Sequence, residues 1–335
     1  MEIKAIDVKK LRDMTSAGMM DCKKALVEAA GDFERAKEII REKGKLVAEK
    51  RADRQTSEGK VIALTDPSNK KGVIVALGCE TDFVSKNADF QKLADEIAMV
   101  AIQQFPASAE DLLKCTLADG RTIDAAITEQ TGKTGEKHSL LYYEGAKAEY
   151  IHAYNHVING KLAALVGFNK SVLVEAGKGI AMQVASMKPV SISASDCPKE
   201  VVDQEKAVAV EKTKEEQVQR AVDSALKKLG INPAHCDSED HISSNTAKGW
   251  LTPEQAEKAR ETIRTVGEKA AAELANMAQR IEQIANGRVA KFFKENTLEE
   301  QEYQMGDEKV SVKDYLKKVD PEAKVIVFKR YSLAD

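Results

Sequence analysis

An aspartate followed directly by a phenylalanine, Asp82 and Phe83, stands inside Glu80-Thr-Asp-Phe-Val-Ser-Lys-Asn-Ala-Asp-Phe90. A carboxylate beside a large ring in a connection can act in two ways. Asp82 can cap the following helix while Phe83 enters the core, or the two can project together as a charged and apolar contact for a partner. The spacing leaves both open. A second segment, Arg12 to Leu26, places Met19 and Met20 directly after Gly18 at a helix start. Methionine side chains adapt to partner surfaces, and they equally well fill the junction of packed helices. Patterns for covalent chemistry fail. Gly132-Lys133-Thr134 resembles the end of a phosphate loop, but Ile127 stands where its leading glycine must be. His235-Cys236 with His241 lacks zinc-finger spacing and suits a polar turn as well. His138, His152 and His156 have no Ser or Cys nucleophile arranged beside them. No catalytic residue, metal or cofactor is therefore expected, and binding is the chemistry to look for.

The elements that must position these residues belong to a chain of 335 residues, 43% hydrophobic and 31% charged but only 5% aromatic, which favours helix-rich structure in two or three compact units. The net charge of −3 supplies no broad basic field for nucleic acid, so a protein partner is expected. Five scattered cysteines without a C-x-x-C pair fit a reduced, cytoplasmic setting. The first 20 residues are too charged for a signal peptide, and no stretch approaches a membrane span.

Residues 1–44 read as three short helices punctuated by Gly18 and Gly31, with faces Val8, Leu11 and Met14; Ala25, Leu26 and Ala29; and Phe33, Ala36, Ile39 and Ile40. The charged stretch Lys45–Arg54 is expected to be a linker or a solvated helical extension, free to move. Strands Lys60–Leu64 and Gly72–Leu77 flank a turn at Asp66–Asn69, and Phe90, Leu93, Ile97, Val100 and Ala101 then recur at helical spacing. The order repeats with Tyr150–Tyr154, a turn near residues 158–160, Leu162–Phe168, and a helix carrying Ile180, Val184 and Met187. A last apolar strand, Lys324–Arg330, is placed to join the second sheet. Between them, about Glu200 to Ile284 predicts two antiparallel helices with the break around Gly230, Pro233, Gly249 and Pro253; Trp250 is expected to pack the tip, the alternative being an anchor for a partner.

Several of these segments are similar to bacterial elongation factor Ts. Arg12 to Leu26 resembles that family's N-terminal signature, and Thr81-Asp82-Phe83-Val84 with Lys86, Asn87 and Phe90 resembles its core signature. Tyr154-Asn155-His156, Ala181–Pro189 and Asn286-Gly287-Arg288 extend the likeness over most of the chain. Departures are local: Ser16 and Ser85 stand where Gly and Ala are common, Val157 follows His156 in place of glycine, and Glu302 replaces a usual proline. The helical excursion is longer than in familiar members, and the terminal helix many members carry is not expected after Asp335.

The resemblance implies an α+β architecture. A three-helix unit like ubiquitin-associated domains occupies 1–44, a linker 45–57, and two related hairpin-plus-helix subdomains 58–145 and 146–199 with 286–335. A long antiparallel helical hairpin, 200–285, is inserted in the second. It further implies guanine-nucleotide exchange on elongation factor Tu, with Asp82 and Phe83 wedging near the magnesium site and Thr81, Val84, Lys86 and Asn87 flanking them. Arg12, Met19 and Met20 would contact the nucleotide domain, and His156 another domain of the GTPase. No cofactor, direct nucleic-acid contact or membrane is implied; self-association through the hairpin is open. The alternative from another class is a helical adaptor that tethers proteins without exchange; an enzyme would need a pocket the sequence does not advertise.

Overall fold

The computed structural model describes residues 3–15, 17–158 and 160–335 and mixes helices with two small antiparallel sheets. Three helices come first: α1 (Ala5–Thr15), α2 (Met19–Glu28) and α3 (Phe33–Lys50). They enclose Val8, Leu11, Cys22, Ala25, Leu26 and Ala36. Gly31, with φ 88°, supplies the left-handed step between α2 and α3, which Asp32 then caps by accepting from the Glu34 and Arg35 amides at 2.8 and 3.0 Å. α3 continues to Lys50, so of the two expectations for Lys45–Arg54 the solvated helical extension is the one seen over most of its length. Its buried Gly44 faces Gly132 so closely that a Cβ on Gly132 would lie 2.6 Å from the Gly44 Cα. The expected freedom of movement is thus replaced by a backbone-to-backbone helix contact.

The first sheet is β1 (Glu58–Thr65), β2 (Lys71–Cys79) and β3 (His138–Lys147), all antiparallel with β2 central. The turn between β1 and β2 is closed by Asp66, whose Oδ1 accepts from the Lys70 and Lys71 amides at 2.9 and 2.8 Å. Between β2 and β3 run α4 (Asp82–Ser85), α5 (Ala88–Gln104), α6 (Ala109–Lys114) and α7 (Ile123–Thr134). Phe90, Leu93 and Ile97 of α5 join Val73, Val75 and Leu77 of β2 and Ile123 of α7 in one core. The third strand and the helices after α5 were not anticipated from the sequence. Gly132-Lys133-Thr134 ends α7, where Lys133 pairs with Glu129 at 3.0 Å.

The second sheet orders β4 (Tyr150–Asn155), β5 (Leu162–Phe168) and β6 (Val325–Ser332), again antiparallel. α8 (Val174–Met187) buries Ala176, Ile180, Ala181 and Val184. The two sheets meet face to face through Val61, Ile74, Ile151 and Leu165. The Asn155 side chain also bridges them, accepting from the Ala63 amide at 2.7 Å and donating to the Ala63 carbonyl at 2.8 Å. These elements belong to one compact unit, residues 1–192 and 301–335.

The other unit, residues 193–300, holds α9 (Lys199–Lys228), α10 (Glu239–Ala247), α11 (Pro253–Glu273) and α12 (Ala278–Asn296). The return segment is therefore two helices parted by a 3-10 turn at Leu274–Met277, and not the single arm expected. Val222, Leu226, Ile231, Cys236, Ile242, Leu251, Ala256 and Ala259 form its own core. Trp250 lies outside that core, 61% exposed, with His235 at 5.4 Å and Lys248 at 5.3 Å from its ring. Leu251, one residue on, takes the buried place expected of it. The last helix, α13 (Val312–Val319), precedes β6 in the first unit.

Candidate partner-binding site

Phe83 sits on α4, a single helical turn between β2 and α5, and its ring is 84% exposed. The reading that would place it in the core is excluded. The cap is also not Asp82 but Thr81, whose hydroxyl accepts from the Val84 amide at 3.5 Å. Asp82 instead forms a surface ion pair with Lys86 at 2.7 Å, and the Lys86 hydrogen bond holds its carboxyl below the usual carboxylate range. Val84 turns inward against the first core, and Asn87 caps α5 by accepting from the Asp89 amide at 2.8 Å. Of the flanking residues, Lys86, Val84 and Asn87 thus have local structural work, while Phe83 has no core contact to explain it.

The turn that carries Phe83 is held from beneath. Glu136 accepts both the Thr81 amide at 3.0 Å and the Thr81 hydroxyl at 2.7 Å. One residue away on each side, Glu80 accepts the Lys137 amide at 2.6 Å and the Arg51 guanidinium at 2.9 Å. Lys137 in turn donates through its ammonium to the Ala52 and Arg54 carbonyls at 2.6 and 2.9 Å. Desolvation would raise the Glu80 carboxyl, but the Lys137 amide and Arg51 outweigh it and the group stays ionised to lower pH than an ordinary glutamate. Behind them, the buried Cys79 thiol donates to the Thr81 carbonyl at 3.2 Å and is pushed up to about 12, chiefly by burial. Neither Glu80, Glu136 nor Arg51 was singled out from the sequence; bonds between residues 51, 80 and 136–137 leave no local pattern.

The N-terminal candidates are exposed: Arg12 on α1, and Met19 and Met20 at the start of α2, with Met14 exposed just before the connection. His156 follows β4 and is half-buried, its Nδ1 2.9 Å from the Tyr154 hydroxyl. Beside it Val157 is 92% exposed and Ile158 is exposed too. Two branched apolar residues in a hairpin turn are a signal that the sequence reading passed over. Among the described residues, no hydrogen bond or ion pair links the Asp82–Phe83 turn, the methionines and His156 to one another.

The remaining histidines have other partners. His138 is buried, its Nδ1 2.9 Å from the Glu136 carbonyl and its ring 5.6 Å from Phe90, and burial lowers its pKa. His241 pairs with Asp237, and Cys236 is buried in the second unit's core. Among the described residues no group of three or more His, Cys, Asp or Glu side chains is arranged to hold a metal, and no helix is long and apolar enough to cross a membrane.

Known proteins similar in sequence to this chain are numerous. The family model described as elongation factor TS matches residues 80–232 and 234–335. Elongation factor Ts of Bacteroides fragilis is 49% identical over 333 residues, covering 99% of each chain. Its counterpart from Bacteroides thetaiotaomicron is 46% identical over the same length and coverage, and that of Christiangramia forsetii 38% over 334 residues, again 99% of each.

Proposed function

Because this chain belongs to the elongation factor Ts family, we propose that it is a guanine-nucleotide exchange factor for elongation factor Tu, acting in the cytoplasm without covalent chemistry or a cofactor of its own. The observation that carries the reading is Phe83, held 84% exposed on a short clamped turn. Buried against a partner, a phenylalanine contributes about 1.5–3 kcal/mol. That is enough to favour a conformation of the GTPase in which magnesium and phosphate are poorly held. Asp82, beside it, adds a carboxylate that can leave Lys86 for a partner group. Arg12, Met19 and Met20 supply the contact to the nucleotide domain, and His156 with its exposed turn the contact to another domain.

Linkage makes the action catalytic. A factor that weakens GDP binding is itself released when nucleotide rebinds, because the coupling is the same in both directions. The test is release of a fluorescent GDP analogue from elongation factor Tu with substoichiometric protein. Faster release with turnover is expected; binding without acceleration identifies a tether and removes the exchange reading.

A further inference from the structure

We propose that Glu136 and Glu80 are positioning residues for exchange, acting through Phe83 by clamping the backbone of the turn that carries it. The inference rests on the exchange reading above. An exposed ring has no packing to fix it, so its place in space is set only by the backbone beneath, and a turn of four residues has little stiffness of its own.

The two carboxylates supply that stiffness in a crossed arrangement. Residue 80 grips the amide of residue 137, and residue 136 grips both the amide and the hydroxyl of residue 81. The exit of β2 and the entry to β3 are thereby locked to one another at the root of α4. Arg51, just past α3, and the Lys137 bonds to the carbonyls of residues 52 and 54 carry the same lock to the end of the N-terminal helices. The wedge and the neighbouring helical contact surface are thus held in one frame before a partner arrives. The ring therefore meets a docked partner from one fixed position, so the clamp bears on how far the bound GTPase is displaced and not only on how tightly it docks.

Thr81 is reassigned by this geometry. Its hydroxyl is used twice, donating to Glu136 and accepting from Val84. It belongs to the clamp and not to the contact surface.

The test is stopped-flow release of fluorescent GDP from elongation factor Tu over a range of exchange-factor concentrations, for wild type, Glu136→Ala, Thr81→Val, Thr81→Ser, Phe83→Ala and the double variant Phe83→Ala/Glu136→Ala. Glu136→Ala and Thr81→Val are expected to lower the maximal release rate by about tenfold, the size of a lost charge-assisted hydrogen bond, and Thr81→Ser to restore it. In the Phe83→Ala background, Glu136→Ala is expected to have almost no further effect, since a residue acting through another loses its effect when that other is gone. A role confined to stability would give a different result, lowering the thermal midpoint and raising the half-saturating concentration while the maximal rate stayed at the wild-type value. That outcome, or full additivity of the two substitutions, overturns the clamp and leaves the exchange reading standing. No acceleration by wild type removes the exchange reading, and the positioning role with it.

Discussion

An aromatic ring in water at the end of a rigid turn contributes little to the stability of the chain that carries it, which makes Phe83 separable from the fold. Phe83→Ala is expected to reduce exchange by at least about tenfold, from the lost burial against the GTPase. Its thermal midpoint should stay within about 1 °C of wild type, because an exposed surface substitution changes stability little. Parallel calorimetry and GDP-release assays check both halves. His138 gives the opposite case, a residue buried for structure. Its folded pKa lies below the ordinary value of about 6.5, so the unfolded chain takes up the proton first. The stability it contributes is present above that value and lost as pH falls through the window below it. Urea midpoints should therefore drop between pH 7 and 5.5, with a shallower slope in His138→Gln. The residual slope belongs in part to His152, which burial also lowers.

Among the elements, the crossing of α3 and α7 at Gly44 and Gly132 leaves no room for a side chain on Gly132. Gly132→Val places a branched side chain against backbone that cannot rotate away. A loss of about 1–3 kcal/mol is expected from such overpacking, read as a lower urea midpoint with the denaturant slope unchanged. The same crossing shows where sequence reasoning stops. The hydrophobic period exposed α5 and α8 and the strand pairs in front of them, because each side chain that points inward repeats at 3.6 or 2 residues. It did not separate the helix from the linker beyond residue 44, since α3 there is solvated on most sides and anchored by a glycine that has no side chain to signal it. β3 escaped because its inward residues are interrupted by Glu144 and Gly145, and its pairing partners lie 59 to 76 positions earlier. Spacing alone could not decide whether Phe83 faced inward, and Trp250 was placed inward on composition when Leu251 is the residue that fills the core.

At the scale of the molecule, each compact unit encloses a hydrophobic core of its own, and cooperativity follows contact density more than chain continuity. The only tryptophan, Trp250, lies in residues 193–300, so its fluorescence reports that unit alone, whereas far-ultraviolet dichroism reports both. The two signals are expected to give different urea midpoints; coincident curves would show that the units unfold together. Trp250→Phe should leave the dichroism midpoint within about 0.5 kcal/mol of wild type, as for other exposed positions.

The placement of the cysteines has a practical corollary. Cys22, Cys79, Cys197 and Cys236 are buried and Cys115 half-buried, and the thiols of Cys79, Cys115 and Cys236 are all raised by desolvation. The thiolate is the nucleophile toward maleimides, so burial of Cys22, Cys79, Cys197 and Cys236 slows their labelling in the native protein and leaves the half-buried Cys115 as the most open of the native thiols. A cysteine introduced on an exposed helix would react ahead of the buried native thiols, and with Cys115 replaced the chain could carry a reporter of its own docking while keeping its four buried cysteines.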